Sequence, residues 1–360
     1  MMAALFERVG SELALAQVDI PQPGPGEVLV RVAAAGLCGS DVHIAVDGWS
    51  HPARLPMILG HEAAGTVERV GPGVRRWRRG ARVAVFPEVV CGRCPNCLEG
   101  RSELCLEREV LGIHRDGALA EYLVVPERNL VQLPPRVGFE EGAVATDAVA
   151  TPYHALVRVA RLHAGERVLL CGMGALGLHA VTIARLLGAA WVSAAARHSV
   201  RRARAMERGA DQVVDAASDA REWGGPFDLC VDFSGDARLI EAGLGQLRRG
   251  GRMVLVGLSA SPLHLLPVSD VVRMGLTVVG AYGAHPQDVR EVLDLAEMGR
   301  IDLKAAVTHR FALADAALAL EHLSRKLGDP VRVVVRPTWQ RSRRTALCPA
   351  LTGGGSGPAA

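Results

Sequence analysis

The chain has 360 residues, which suits two domains because domains of about 100–200 residues are the norm. Hydrophobic residues make up 49% and charged residues 22%, a balance unlike that of disordered chains, and the net charge of +3 is too small to indicate a nucleic-acid partner. Residues 1–9 lack the pattern of a signal peptide, and no apolar run approaches the roughly 18 residues of a membrane helix. We therefore expect a cytoplasmic protein with no membrane partner.

Residues 1–150 contain short β-like runs separated by glycine and proline, which predicts a compact, mostly β domain. Residues with catalytic or metal-binding side chains are scattered between the runs, namely Cys38, Ser40, His43, His61, Glu62 and Asp147. A catalytic zinc ion needs a few ligands of mixed sulfur, nitrogen and oxygen type plus an exchangeable position. Cys38, His61 and Asp147 have that chemistry, but their spacing alone does not join them.

Four cysteines fall within one loop, at Cys91, Cys94, Cys97 and Cys105. In a reducing compartment such thiols are metal ligands more often than disulfides, and four thiolates complete a tetrahedral zinc site with no open position. An iron–sulfur site of the bacterial ferredoxin type has a shorter gap before its fourth cysteine than the seven residues found here. A zinc ribbon that binds nucleic acid needs a basic and aromatic face, which this loop lacks. The loop therefore predicts a structural zinc site.

Beyond residue 150, apolar strands alternate with glycine-rich turns and helices, the pattern of a doubly wound parallel sheet. Six strand candidates complete a dinucleotide-binding sheet, and they start at Arg167, Trp191, Gln212, Leu229, Arg252 and Leu276. Helices are predicted over residues 176–187, 200–207, 239–247, 286–300 and 315–323.

A further strand at Val331 is expected to return to the first domain. The predicted organisation is a catalytic domain of residues 1–150, completed by residues 286–340, and a dinucleotide-binding domain of residues 151–285. Residues 341–360 are rich in arginine and then in glycine, proline and serine, which predicts a disordered tail.

A glycine-rich turn follows the first strand of the second domain, with Gly172, Gly174 and Gly177 flanking Met173, Ala175 and Leu176. The first glycine permits a tight turn, the second lets the backbone approach a pyrophosphate, and the third lets the helix pack on the strand. Because the motif lies between a predicted strand and a predicted helix, it favours a dinucleotide cofactor over a chance match.

The residue that contacts the adenosine ribose is expected about 20 residues beyond this turn, where NAD enzymes carry a carboxylate. That position is Ala196, and Arg197 and Arg201 supply positive charge nearby. A guanidinium binds a 2′-phosphate well, so the sequence favours NADP(H) over NAD(H). The alternative is that Arg197 is merely solvated and that the enzyme uses NAD.

The motif Gly60-His61-Glu62, followed by Gly65, Gly71 and Val74, resembles the signature of zinc-dependent alcohol dehydrogenases of the medium-chain dehydrogenase/reductase family. The four-cysteine loop is similar to the structural-zinc lobe of that family. The segment around Asp147 resembles the one that supplies the third zinc ligand in bacterial secondary-alcohol members. The resemblance extends from about residue 4 to about residue 337. It implies an α/β protein with a GroES-like, mostly β catalytic domain and a Rossmann domain.

The resemblance also implies roles for individual residues. Cys38, His61 and Asp147 are expected to bind a catalytic zinc ion, with Glu62 as a nearby carboxylate or transient ligand. Ser40 is expected to hydrogen-bond the substrate oxygen, and His43 to pass its proton to solvent. With the structural zinc this makes two zinc ions per chain, and a homodimer or homotetramer is expected, formed through the edge strand that starts at Leu276. Tyr153 and His154 are interpreted as packing residues.

The predicted function is hydride transfer between NAD(P) and a small alcohol or ketone, with a secondary alcohol or polyol as substrate. Two alternatives stay open. A zinc-free quinone or enoyl reductase of the same superfamily would keep the glycine-rich turn but would not need Cys38, His61 or the four-cysteine loop. A non-catalytic protein that binds NADP(H) and uses zinc only for structure would leave Cys38, Ser40, His43 and His61 unexplained.

Overall fold

The structure is a computed structural model that describes residues 1–48, 54–263 and 266–337, so the predicted tail at residues 341–360 lies outside the described residues. The first 160 residues consist mostly of strands and loops. Their strands and helices are β1 (Met2–Phe6), β2 (Ala14–Gln17), β3 (Glu27–Leu37), α1 (Gly39–Val42), β4 (Met57–Ile58), β5 (Glu62–Val70), β6 (Arg82–Val85), β7 (Glu88–Val89), α2 (Pro95–Leu98), β8 (Glu109–Val110), β9 (Tyr122–Pro126), β10 (Leu130–Gln132), α3 (Phe139–Val144) and α4 (Ala150–His154). Wider π-type turns, Ala145–Val149 and Ala155–Val159, make residues 139–159 a nearly continuous helical segment.

The second domain is a six-stranded sheet in which every neighbouring pair is parallel. Its elements are β11 (Arg167–Cys171), α5 (Ala175–Leu186), β12 (Trp191–Ala196), α6 (Ser199–Glu207), β13 (Gln212–Asp215), β14 (Phe227–Asp232), α7 (Ala237–Leu244), β15 (Leu247–Leu255), α8 (Val268–Met274) and β16 (Thr277–Gly280). The strand order is β13-β12-β11-β14-β15-β16, which is the dinucleotide-binding order. All six strands predicted from the sequence are present.

The last described elements return to the first domain. They are α9 (Pro286–Glu297), β17 (Val307–Ala312), α10 (Ala316–Ser324) and β18 (Arg332–Arg336). The strand β18 pairs with β3, so the large sheet has the order β10-β6-β5-β3-β18-β17, with β9 also paired to β3. Smaller sheets, β2-β1-β4 and β7-β8, complete the domain.

Packing explains why the helical segment 139–159 lies at the junction of the domains. Its residues Val144, Ala148 and Leu156 belong to the same buried cluster as Val168 and Leu170 of the parallel sheet. The opposite face of the large sheet packs into a separate core, which contains alternate residues of β3, β5 and β6. The helical segment 139–159 therefore packs against both domains.

One predicted helix boundary is wrong, and one predicted contact between two copies of the chain stays a prediction. The helix predicted over residues 239–247 ends at Leu244, because Gly245 follows the helix and Leu247 already pairs with Phe227 as the first residue of β15. The strand β16 lies at the edge of the parallel sheet and is largely exposed, but pairing of two copies through it stays a prediction. Within the described ranges, no helix has both the length and the apolar character needed to cross a membrane.

Candidate active site

Four side chains with metal-binding atoms meet at the junction of the two domains. They are Cys38, His61, Glu62 and Asp147, and one ligand atom of each lies within 4.8 Å of the others. Cys38 Sγ lies 3.4 Å from Asp147 Oδ2, and His61 Nε2 lies 3.6 Å from the same oxygen. A thiol, an imidazole and carboxylates form a donor set that suits zinc. The fold thus brings together residues that the sequence alone left apart.

The cluster depends on where the strands end. Cys38 follows β3 and immediately precedes α1, His61 immediately precedes β5, and Glu62 is the first residue of β5. Gly36 of β3 pairs with Glu62, and a β-carbon at Gly36 would lie 1.9 Å from the Glu62 carboxylate, so only glycine leaves room for that side chain. Asp147 comes from the helical segment 139–159, on the opposite side of the cluster.

Asp41 orients the cluster, although the sequence analysis did not single it out. Its fully buried carboxylate accepts hydrogen bonds from the backbone N–H groups of Cys38 and Gly60, at 2.8 and 3.2 Å. Its Oδ1 lies 3.6 Å from His61 Nδ1, which leaves His61 Nε2 towards Asp147. A carboxylate behind a histidine fixes the orientation of the ring as a metal ligand. The available signal was an acidic residue within the turn that follows Cys38.

Arg332 is a second residue that the sequence analysis missed. It is 2% exposed on β18, and its Nη2 lies 3.2 Å from Glu62 Oε1 and 3.9 Å from Asp147 Oδ2. Its Nη1 donates a 3.1 Å hydrogen bond to the carbonyl oxygen of Leu37. A buried guanidinium among carboxylates compensates their charge. The signal in the sequence was an arginine inside the apolar run that starts at Val331.

These contacts shift the pKa of the cluster members in opposite directions. Burial by itself would raise the pKa of Asp147, but the contact with His61 and the charge of Arg332 hold that pKa well below its usual range. Burial opposes a charge on His61 as well, yet the nearby carboxylates Asp41 and Asp147 raise its pKa well above the usual value. Burial raises the pKa of Glu62 in spite of Arg332. Asp147 is therefore the more readily ionised of the two carboxylates, whereas Glu62 depends on Arg332 for its charge.

Ser40 and His43 line the cleft into which the cluster opens. Ser40 Oγ lies 3.9 Å from Cys38 Sγ. His43 Nδ1 lies 2.7 Å from Asp47 Oδ2, and 40% of the His43 side chain is exposed. The two polar side chains thus lie on the route between the cluster and solvent.

The four cysteines of the loop, Cys91, Cys94, Cys97 and Cys105, form a second cluster, with their sulfur atoms within 4.8 Å of one another. Backbone N–H groups point at these sulfurs: Cys94 N donates to Cys91 Sγ at 3.3 Å, and Cys91 N donates to Cys105 Sγ at 3.3 Å. Such donors stabilise thiolates, and the N–H groups of Leu106 and Cys97 lower the pKa of Cys94 to about 6. The arrangement fits a tetrahedral metal site closed by four protein ligands.

The glycine-rich turn connects β11 to α5 on the other wall of the cleft. Gly172 has a positive φ of 88°, which favours glycine, and a β-carbon on Gly177 would lie 2.0 Å from the Gly172 carbonyl oxygen. Gly174 directly precedes α5, so the backbone N–H groups of the helix start face the cleft. Ala175 and Leu176, also predicted to contact the cofactor, line the cleft with the three glycines.

The residues predicted to contact the ribose differ in exposure and in the contacts that they make with other residues of the protein. Ala196 ends β12 and lines the cleft, and Arg197 is exposed beside it. Arg201 also lines the cleft, but it is already held by Asp329 Oδ1 at 2.8 Å and by the Pro330 carbonyl oxygen at 2.7 Å. Arg201 is thus partly committed to contacts within the protein, whereas Arg197 is exposed on the wall of the cleft.

Glu88 is a further residue that the sequence analysis missed. It is 5% exposed, lines the cleft, and its Oε1 lies 3.9 Å from Arg108 Nη1. Burial is the main reason that its pKa is raised to about 8, in spite of the charge of Arg108. The cleft, of about 650 Å³, therefore contains a weakly acidic group next to the candidate metal ligands.

The fold and the site define a class: a zinc-type dehydrogenase with a mostly β domain packed against a dinucleotide-binding domain. Comparison with known families agrees. The family described as "Alcohol dehydrogenase GroES-like domain" matches residues 24–135, and the one described as "Zinc-binding dehydrogenase" matches residues 175–298. The chain belongs to the zinc-dependent alcohol dehydrogenases of the medium-chain dehydrogenase/reductase family. The family and fold predicted from the sequence are confirmed.

Relatives and solved structures refine this placement. The chain is similar to an L-threonine 3-dehydrogenase of Pyrococcus horikoshii, with 32% identity over 86% of this chain and 91% of the relative. It is also similar to an alcohol dehydrogenase of Geobacillus stearothermophilus, with 35% identity over 84% of this chain and 90% of the relative. A thermostable alcohol dehydrogenase of Pyrobaculum aerophilum, solved with cobalt and zinc, superposes with a TM-score of 0.84 at 34% identity, covering 94% of this chain and 99% of that one. The protein is thus an oxidoreductase of the zinc-dependent dehydrogenase family.

Proposed function

We propose that this protein oxidises a small secondary alcohol or polyol to a ketone, and reduces the ketone in reverse, by exchanging hydride with NADP(H). One observation carries the proposal: a thiol, an imidazole and a carboxylate converge within 4.8 Å and open into the same cleft as the glycine-rich turn. An alcohol bound at that cluster would lie beside a nicotinamide ring held from the opposite wall.

The donor chemistry supports about two zinc ions per chain. Cys38, His61 and Asp147 would hold the catalytic ion with Glu62 behind them, and the four-cysteine loop would hold the structural ion. The catalytic ion would supply Lewis acidity, which makes the hydroxyl group of a bound alcohol easier to deprotonate. Arg332 and Asp41 position the ligands, because they hold Glu62 and the Cys38 backbone from behind.

The remaining residues account for the proton. Ser40 accepts the hydroxyl proton of the alcohol and passes its own towards His43, which delivers a proton to solvent while Asp47 holds its ring. A dinucleotide held at Gly172, Gly174 and Gly177 would supply the acceptor for the hydride of the carbon that bears the hydroxyl group, so the substrate would lose two electrons and two hydrogens in all. NADP(H) is favoured over NAD(H), because Ala196 offers no carboxylate at the ribose and the exposed Arg197 can pair with a 2′-phosphate.

An amino alcohol is a second candidate substrate, and Glu88 is the observation that favours it. A buried carboxyl group in the cleft can pair with a substrate ammonium, which would restore its charge. The relative from Pyrococcus horikoshii is named an L-threonine 3-dehydrogenase, and threonine is an amino alcohol. Turnover of matched secondary alcohols with and without a neighbouring amino group separates the two substrate classes.

The test of the proposed chemistry is Cys38→Ala, with Cys230→Ala as a matched control that is also buried but does not line the cleft. We expect Cys38→Ala to lose turnover, measured by NADPH absorbance over a substrate panel, and to lose about one zinc ion. The Cys230→Ala variant should lose no zinc. Full activity in Cys38→Ala would contradict the assignment of the catalytic site.

A further inference from the structure

A third group of metal-binding side chains does not line the cleft and takes no part in the proposed chemistry. Glu103, His154 and His285 each offer a ligand atom within 4.8 Å of the others. Glu103 belongs to the four-cysteine loop, His154 is the last residue of α4, and His285 immediately precedes α9. Three segments distant in sequence therefore converge at this point.

His154 is prepared as a ligand by a carboxylate behind it. The ring is 2% exposed, and its Nδ1 lies 2.8 Å from Asp288 Oδ2. Asp288 also receives Arg158 Nε at 2.9 Å and the His285 backbone N–H at 2.9 Å, so it accepts from all three groups, and Nδ1 of His154 carries the proton. This leaves Nε2 of His154 with a free lone pair, buried and without a hydrogen-bond partner among the described residues. A histidine that donates one ring nitrogen to a carboxylate is the usual arrangement of a metal ligand.

Glu103 and His285 complete the donor set. His285 Nε2 lies 2.7 Å from Glu103 Oε2, and the His285 ring stacks on the His154 ring, with centroids 4.9 Å apart and planes inclined by 17°. The Glu103 side chain is 13% exposed, so water competes little for its oxygen atoms. Ligand atoms about 2.0–2.1 Å from a tetrahedral ion lie about 3.3 Å apart. An ion would therefore lengthen the 2.7 Å separation of Glu103 and His285, within a group whose three ligand atoms already lie within 4.8 Å of one another.

We propose that Glu103, His154 and His285 bind a third divalent ion of the zinc class. Two imidazole nitrogens and one carboxylate oxygen suit zinc or cobalt better than calcium or magnesium, which prefer oxygen ligands alone. The ion fastens the four-cysteine loop to α4 and α9. The sequence alone predicts a packing role for His154, and this site gives its unpartnered nitrogen a function.

The first test is the zinc content of the purified full chain after dialysis against zinc and then against buffer. The variants are Glu103→Gln and His285→Asn, because both can still hydrogen-bond and keep the fold. The controls are Glu107→Gln, in the same loop but half exposed and paired with Arg93, and His163→Asn, whose side chain is 77% exposed. We expect about three zinc ions per chain in the natural protein and both controls, and about two in each test variant.

A melting-temperature scan accompanies each count, since loss of a histidine can destabilise the fold without any metal. Equal zinc content in all five proteins overturns the proposal, even if the test variants melt at a lower temperature. Equal loss in Glu107→Gln and Glu103→Gln also overturns it, because zinc would then bind the acidic loop surface without a defined site.

Cobalt substitution tests the ligands directly. Cobalt bound to cysteine absorbs in the near ultraviolet through sulfur-to-metal charge transfer, whereas a site of nitrogen and oxygen ligands does not. We expect Glu103→Gln to lose one equivalent of cobalt with no loss of that absorption. We expect Cys38→Ala to lose only part of the absorption, since the four-cysteine loop retains its own, and to keep the third equivalent. If the third equivalent of cobalt is lost only together with the sulfur-to-metal absorption, the assignment of nitrogen and oxygen ligands is overturned. Because Cys38→Ala removes turnover and not this site, failure of the metal proposal and failure of the proposed function are distinguishable.

Discussion

The buried pair of Arg332 and Glu62 offers a sharp test of how the site is held together. Replacement of Arg332 by methionine removes a guanidinium that is 2% exposed and lies 3.2 Å from Glu62 Oε1. At that separation the attraction is about 5 kcal/mol for an effective dielectric constant of about 20. Removal of one partner of a buried pair typically costs about 3–5 kcal/mol, because the other charge is left without compensation. We expect a loss of that size in the free energy of unfolding.

A double-mutant cycle isolates the pair. Glu62→Gln alone leaves Arg332 with the Leu37 carbonyl oxygen, the Cys38 side chain and the more distant Asp147. The double variant Arg332→Met with Glu62→Gln removes both charges, so we expect it to recover about 2 kcal/mol or more relative to the sum of the single variants.

The assay is thermal unfolding at fixed zinc concentration and without cofactor, since bound ligands shift the melting temperature. A loss of about 3–5 kcal/mol corresponds to a decrease of roughly 10 °C for domains of this size. Arg310→Met is the matched control: Arg310 also pairs with a carboxylate, Glu140, but its side chain is 39% exposed, so we expect a cost below about 1 kcal/mol. If the two single changes add within about 0.5 kcal/mol, Arg332 and Glu62 do not interact as the structure indicates.

Three further predictions concern the loop, the cofactor and the cleft. Cys94→Ala should lower the melting temperature and the zinc content by about one ion, and an unchanged zinc content would refute the structural site. Ala196→Asp should shift the ratio of kcat/KM towards NAD, because a carboxylate repels a 2′-phosphate, and an unchanged ratio would count against the ribose interpretation. In the folded protein the pKa of Glu88 is raised to about 8 from 4.5, so the folded state binds this proton more tightly than the unfolded state does. The contribution of this proton to the free energy of unfolding is lost as the pH rises towards 8. Relative to the natural protein, Glu88→Gln should therefore gain about 2–3 kcal/mol in the free energy of unfolding between pH 6 and pH 9. If denaturant unfolding gives both proteins the same pH profile, the pKa of Glu88 is not raised.

Local patterns of the sequence determined much of the architecture. The six parallel strands and the glycine-rich turn were predicted because a strand, its turn and the following helix are fixed by contacts between neighbours in the chain. The four-cysteine loop was predicted for the same reason, since its ligands lie within one loop. The helix end at Leu244 was missed, because pairing of Leu247 with a distant strand overrode the local pattern.

Only the tertiary structure decided which distant side chains share a site. Cys38 and Asp147 are 109 positions apart, and nothing in their spacing brings them together; β3 and the helical segment 139–159 do so by packing against one another. Arg332 reaches Glu62 because β18 pairs with β3, and His154 meets His285 because α4 packs on α9. Hydrophobic patterns specify which faces are buried, but the polar partners met inside depend on how complete elements pack. The sequence therefore determined which metal-binding and catalytic side chains the chain carries. The packing of the two domains determined which of these side chains share a site.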